Sequence, residues 1–345
     1  MTYELRKLVR NPRAWIVYSL FVAGLLLFWG LALVENGQSI RYAANRYSYM
    51  AYTANKRLHD LSRPLMPGES EFLYEAHDVA RAISKAYENG ENTTPGFVVL
   101  RQSWDELVAK ADKNGYPYAD FGYDSTIETT AYLQQSEACL KRNIGLLASD
   151  WQPDAVNLNA QWTLRGGWLA VALFCLVLWM DTIGAEMDNG TFKLVFTSLT
   201  PRKTIFWSKI LGSLLVAGAL CLTVGLVLGG VGLVYGIGTL DYPYIVHQRI
   251  VSGASLLGLG VAWSGCVVVG LLGMFLWVFS WRLKPMDAFC ACLLVLAGLL
   301  WLGAWRMELV LTLPVWRLGG GAFALAGVGM AGLALRRLER KELGT

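Results

Sequence analysis

Ionisable residues are missing from the longest apolar stretches of this 345-residue chain. None lies between Ile210 and Leu240 or between Ile250 and Trp281, and Asp181, Asp287, Arg306 and Glu308 stand only at the ends of such stretches. A proton or sodium relay across a membrane needs buried Asp, Glu, His or Lys, so ion-coupled transport through side chains is disfavoured. Histidine is scarce. His59 and His77 form neither an H-x-x-x-H nor an H-E-x-x-H arrangement, the spacing a zinc site requires, and no metal site is expected. A G-x-x-x-x-G-K-[ST] phosphate loop is missing, so any ATP must be handled by another chain. Neither a G-x-S-x-G element nor a Ser-His-Asp order is present, which leaves no hydrolase centre and predicts a chain that is not itself an enzyme. Of six cysteines, Cys175, Cys221, Cys266, Cys290 and Cys292 fall in apolar runs. Cys139 alone remains in the polar segment, which therefore holds no internal disulfide. Cys290 and Cys292 face different sides of a helix, and metal ligation by them is not expected.

What is abundant is apolar surface. The chain is 54% hydrophobic, with 36 Gly and 14 Trp, too apolar for a soluble domain of this size. A span needs about 20 apolar residues. Six stretches qualify, near Ala14–Val34, Trp162–Met180, Thr204–Ile237, Val251–Trp281, Met286–Trp305 and Pro314–Leu335, so the fold class is an all-α polytopic membrane protein. The third and fourth exceed the minimum, and the cluster Gly229, Gly230, Gly232, Gly236 and Gly238 makes a break near the end of the third plausible.

Basic residues in short loops set the orientation. Arg6, Lys7, Arg10 and Arg13 precede the first span; Lys193, Arg202, Lys203 and Lys209 follow the second. Arg282 and Lys284 separate the fourth and fifth, and Arg336, Arg337, Arg340 and Lys341 follow the sixth. The opposite short loops hold only Arg249, Arg306 and Arg317. Both termini are expected in the cytoplasm, with residues 35–161 outside. Seventeen acidic and 13 basic residues lie between Glu35 and Arg165, so the net charge of +4 reports topology and gives no reason to expect nucleic acid as a partner. The first span is long for a signal-peptide core and no A-x-A-like site follows Val34, so it reads as a retained anchor.

The exterior segment reads as helical. Ile40, Ala44, Tyr47, Ala51, Ala54, Leu58 and Leu61 alternate spacings of four and three, the seam of a long helix. Phe72, Ala76, Val79, Ile83 and Tyr87 repeat that spacing after Arg63-Pro64 and Pro67-Gly68, predicting an antiparallel hairpin. A shorter helix is expected around Leu100, Trp104, Leu107, Val108 and Ala111, and a last one from Ser125 to about Ser149 using Leu133, Leu140, Ile144 and Leu147. Tyr42, Tyr49 and Tyr52 lie beside the seam, and the loop holding Tyr116, Tyr118, Phe121 and Tyr123 concentrates four rings. Such rings either contact a ligand or pack on the hairpin or bilayer surface. Asn92-Thr93-Thr94 and Asn189-Gly190-Thr191 match glycosylation sequons by chance.

Between the second and third spans, residues 181–203 read DTIGAEMDNGTFKLVFTSLTPRK. Asp188 or Asn189 caps a helix whose Phe192, Val195, Phe196 and Leu199 form one apolar face before Pro201. A short helix with an aromatic stripe suits a cleft in a soluble motor subunit. At the N-terminus, Leu5, Leu8 and Val9 oppose Glu4, Arg6, Lys7 and Arg10, a helix for the headgroup layer, turned into the first span by Asn11-Pro12.

These residues resemble the ABC-2 type family of ABC transporter permeases. The likeness rests on Glu186-Met187-Asp188-Asn189-Gly190-Thr191-Phe192, then Thr200-Pro201-Arg202 and Lys209, similar to the family's E-x-x-x-G-T followed by a P-x-R-like turn and a downstream Lys. The openings Glu4-Leu5-Arg6-Lys7 and Arg10-Asn11-Pro12-Arg13 belong to it, and it covers the six-span plan. The resemblance implies an elbow helix holding Leu5, Arg6, Lys7, Leu8 and Arg10. It implies a coupling helix in which Glu186, Asp188, Gly190, Thr191, Phe192, Val195, Phe196, Leu199, Pro201 and Arg202 contact an ATPase subunit. ATP and Mg would sit in that partner, this chain holding no cofactor. Two ATPase subunits and a second permease half, identical or homologous, would complete the complex in a bacterial cytoplasmic membrane. The expected function is ATP-driven export of an amphipathic or hydrophobic substrate such as a peptide or drug. The alternative is a mechanotransmitter or peptide sensor acting through the exterior helices without translocation. An exterior enzyme merely anchored in the membrane has no catalytic constellation behind it.

Overall fold

The computed structural model of the protein describes residues 10–60, 64–116, 126–180, 202–246, 249–282, 285–312 and 314–340. In chain order the helices are α1 (Pro12–His59), α2 (Glu69–Glu88), α3 (Pro95–Asn114), α4 (Thr126–Arg142), α5 (Ala155–Leu164), α6 (Gly167–Trp179) and α7 (Arg202–Tyr235). Two strands follow, β1 (Pro243–Val246) and β2 (Arg249–Ser252), then α8 (Gly253–Arg282), α9 (Pro285–Thr312) and α10 (Pro314–Arg340). The chain divides into two compact units, one of residues 1–28, 162–230 and 256–345 and the other of residues 29–161 and 231–255.

The first unit holds the apolar helices. Among the described residues, three helices are long and apolar enough to cross a membrane: α1, Trp207–Tyr235 of α7 and Gly253–Val278 of α8. Their core includes Phe21, Leu25, Leu176, Trp179, Leu220, Leu228 and Phe275. Helices α9 and α10 stand where the fifth and sixth stretches are expected. The second stretch departs from expectation. In place of one helix over 162–180, α5 and α6 meet at a 72° bend. Gly166 takes φ +79 at the break, and a Cβ on Gly167 would lie 2.1 Å from the Trp162 ring, so the Gly pair lets the chain turn tightly around that indole. At about 1.5 Å per residue neither piece alone crosses a core of about 30 Å.

The second unit confirms the seam. Tyr47, Ala51 and Ala54 of α1 are buried with Phe72, Ala76 and Ile83 of α2. Arg57 pairs with Glu69 at 3.2 Å and Ser84 Oγ donates to the Ala44 carbonyl at 3.0 Å, which fixes the two helices as antiparallel. Trp104, Leu107, Val108 and Ala111 bring α3 into the same core. Its first turn is set by Pro95 and by Thr94, whose hydroxyl accepts from the Phe97 N–H, the favoured capping arrangement.

Two features differ from the sequence reading. Helix α4 ends at Arg142, short of Ser149, because Asn143 takes φ +52 and terminates the run. Residues 243–252 form an antiparallel hairpin, Pro243 opposite Ser252 and Val246 opposite Arg249, that the count of membrane spans does not reveal.

Candidate functional site

The ten residues assigned to the ATPase-coupling segment, Glu186, Asp188, Gly190, Thr191, Phe192, Val195, Phe196, Leu199, Pro201 and Arg202, lie outside the described residues, except that Arg202 opens α7. The segment's flanks are described. Helix α6 closes on Trp179, which is buried. About two turns into α7, Lys209 is buried as well. Of the elbow residues, Leu5, Arg6, Lys7 and Leu8 also lie outside, while Arg10 is exposed. Next to it Asn11 Oδ1 accepts from the Arg13 N–H at 3.0 Å, capping α1 with Pro12 at its first position.

Within the first unit one hydroxyl pair and one ring pair stand out. The Tyr18 and Thr223 hydroxyls are 3.0 Å apart, and the Trp168 and Trp263 rings stand with centroids at 5.5 Å. Small residues permit close helix approach: a Cβ on Gly273 would fall against the Gly327 backbone, and one on Gly270 against the Phe323 ring. Among the described residues Lys209 is the one buried charged side chain of this unit. The described residues hold no group of three or more metal-ligating side chains.

In the second unit the aromatic loop reads differently from the ligand-contact expectation at its one described position. Tyr116 is buried, packs against Phe72 at 5.3 Å and donates its hydroxyl to the Pro67 carbonyl at 3.1 Å. It closes the α1–α2 turn and presents no free face. Tyr118, Phe121 and Tyr123 lie outside the described residues. Tyr42, Tyr49 and Tyr52 are exposed on α1.

Among the described residues, three buried carboxylates occupy this unit. Glu69 is paired with Arg57 and accepts the Met66 N–H. Asp105 lies 3.8 Å from Arg101; burial nevertheless pushes it up to about 6, with Arg101 opposing. Asp154 was not singled out in the sequence. It precedes α5, and its Oδ1 accepts from the Asn157 N–H at 2.8 Å. Around it the Ala155 and Val156 N–H groups donate to the carbonyls of Gly236 and Ile237, and Gly238, at φ +78, passes so close that a Cβ would lie 2.1 Å from Oδ1. Tyr242 Oη accepts from the Leu147 N–H at 3.2 Å, and Gln135 Nε2 donates to the Pro243 carbonyl at 2.7 Å. Burial pushes Asp154 up to about 6, its backbone and Gln152 hydrogen bonds opposing. The signal available was Asp154-Ala155-Val156-Asn157 behind Pro153, a helix start.

These features define a helical, multi-pass membrane protein with no catalytic cluster among its described residues. A family model described as ABC-2 family transporter protein matches residues 1–299, and the chain belongs to that family. It is the membrane permease component of an ABC transporter, working with an ABC ATPase in a lipid bilayer. Comparison with curated proteins and with solved structures gives no match.

Proposed function

We propose that the chain is one half of the permease of an ATP-driven exporter that moves an amphipathic or hydrophobic substrate outward. Family membership carries this reading. Two ATPase subunits bind ATP and Mg, and a second permease half, identical or homologous, completes the pathway in a bacterial cytoplasmic membrane with both termini inside. Closure of the ATPases on ATP pushes on residues 186–202, with Phe192 and Phe196 seated in their clefts, and α6 and α7 carry the motion into the bundle. No step of nucleotide chemistry falls to this chain.

Purification of the tagged chain from its native membrane, with mass identification and an ATPase assay, tests the reading. The expected result is a co-purifying ATP-binding subunit that is lost or uncoupled by Phe192→Asp. A Phe192→Asp protein that assembles and transports normally refutes the coupling assignment, and recovery of the chain alone from membranes that contain such a subunit refutes the permease partnership.

One observation favours a second reading, a mechanotransmitter. Helix α1 runs unbroken for 48 residues, about 72 Å at 1.5 Å per residue, against a hydrocarbon core of about 30 Å. Its outer half carries the exposed Tyr42, Tyr49 and Tyr52, a surface suited to gripping a peptide while the membrane half moves.

A further inference from the structure

Two buried side-chain oxygens in one helical turn of the second unit are left without a hydrogen-bond donor. Asp154 is 4% exposed and Asn157 0%. Asp154 Oδ1 accepts the Asn157 N–H, but Oδ2 has no partner at hydrogen-bond geometry; the Gln152 side chain, which favours the ionised carboxyl, makes no hydrogen bond to Oδ2. Asn157 Nδ2 donates to the carbonyls of Asp150 at 2.9 Å and Gln152 at 2.8 Å, and its Oδ1 has no partner. Turning the Asn157 amide over does not repair this, because both Nδ2 bonds would be lost. A buried unsatisfied acceptor costs about 1–3 kcal/mol, and an ionised carboxylate there costs more. Asp154 precedes α5 and caps it through the Asn157 N–H, so the two acceptors stand together at the start of that helix. What the pair lacks is a donor, and an ionised carboxylate has none to offer, whereas a protonated one has an O–H.

We propose that Asp154 and Asn157 form a proton-binding site: with the proton bound Asp154 is a neutral carboxylic acid, and its loss of the proton loosens the junction between residues 147–157 and the loop 236–242. The surroundings fit a proton. The ionisable groups around the site are the Tyr242 and Tyr244 hydroxyls and Asp150, with the Cys139 thiol beyond Tyr242. Arg142 lies beside Cys139 and donates to the Asp241 carbonyl. No cation among the described residues acts on Asp154 itself, and burial raises its carboxyl to about 6 from 3.8. That difference corresponds to proton binding about a hundredfold tighter folded than unfolded. Gly238 is needed at this site: its bare Cα lets the loop wrap Oδ1.

Infrared spectroscopy of the full-length, carbon-13 aspartate-labelled chain in lipid, titrated from about pH 8 to about pH 4, reads the site directly. Asp105 is raised in the same way, so the titration is repeated in Asp105→Asn. The expected result is a protonated-carboxyl band with a midpoint near 6 that survives Asp105→Asn and disappears in Asp105→Asn/Asp154→Asn. Asparagine at 154 keeps an acceptor for the Asn157 N–H and supplies the missing donor, so adding Asp154→Asn to Asp105→Asn is expected to remove the fall in melting temperature through about pH 6 that Asp105→Asn alone retains. If either variant fails to fold, the wild-type titration decides: absence of any such band above about pH 5 overturns the proposal. A band untouched by Asp154→Asn overturns it as well, and so does a melting temperature at fixed pH that rises with sodium only when Asp154 is present, which would make the ligand a metal cation.

Discussion

At the scale of single residues, backbone conformation and burial decide more than charge pairing does. Gly238→Ala must place a methyl at φ +78 and within 2.1 Å of Asp154 Oδ1. The conformation alone costs about 1–2 kcal/mol, and the collision adds to it. Thermal unfolding in detergent should show a clearly lower midpoint for this variant, while Gly218→Ala, with open space around its Cβ, should leave the midpoint the same or higher. Asp105 gives a prediction with a sign. Its folded carboxyl is raised from 3.8 to about 6, so the folded state holds the proton more tightly. Its favourable contribution is complete below the unfolded value and is lost as pH rises through about 6. Asp105→Asn should therefore raise the unfolding midpoint above pH 7 and change it little near pH 4. Equal effects at both pH values would show that Arg101, 3.8 Å away, pays for the charge. Little of this was legible in the sequence. A carboxylate becomes perturbed through what covers it, and the cover on Asp154 comes from residues 236–244, some eighty positions away. Tyr116 takes the packing alternative, and the sequence could not choose it because Phe72 and Pro67, which enclose the ring, lie more than forty positions away.

At the scale of elements, local pattern was a reliable guide wherever one face of a helix meets one partner. The alternating seam from Ile40 to Leu58 and its match from Phe72 to Tyr87 appear as the packed pair α1 and α2, since spacing alone determines which side chains share a face. Breaks and pairings were harder to read. The bend between α5 and α6 depends on the Trp162 ring lying against Gly167, and the paired strands β1 and β2 are separated in the sequence by neither Asn-Gly nor Asp-Gly, the signal of most two-residue hairpins. The long helix α1 carries its own test at Gly37, a helix-interior glycine with nothing within 4 Å of its Cβ direction. Gly37→Ala should stabilise α1 by up to about 1 kcal/mol without altering assembly. Gly37→Pro removes a helix hydrogen bond and kinks the chain at a cost of about 3 kcal/mol or more. In a mechanotransmitter, Gly37→Pro abolishes activity while ATPase binding persists. In a pore-centred exporter, transport falls little. Activity of both variants is the measurement, with co-purified ATPase as the control for assembly.

At the scale of the whole molecule, the question is whether the second unit is part of the export path or the element that is driven. The core formed by Tyr47, Met50, Ala54, Phe72, Ile83, Trp104, Val108 and Tyr116 lies wholly within residues 41–142. Excising a shorter piece, such as α2 and α3 alone, would strip the cover from Tyr47 and Met50 and expose an apolar face, so loss of function would report misfolding. Cutting at 150 would also take the Leu147 N–H from Tyr242 and the Asp150 carbonyl from Asn157. Replacing residues 41–142 by a short Gly/Ser linker removes the core as a set. It keeps Asn36 for its bond to Ser149 and leaves the Asp154 junction with most of its partners. The Pro243 carbonyl loses its Gln135 donor and gains access to water instead, a small cost for an acceptor that is no longer buried. The core of the first unit has no residue in common with the excised core, so assembly with the ATPase is expected to survive. If the chain works as a pore-centred exporter, the excised protein still transports its substrate and its ATPase still responds to that substrate. Intact assembly and basal ATPase activity with complete loss of function would instead assign the work to the excised helices and make the chain a transmitter.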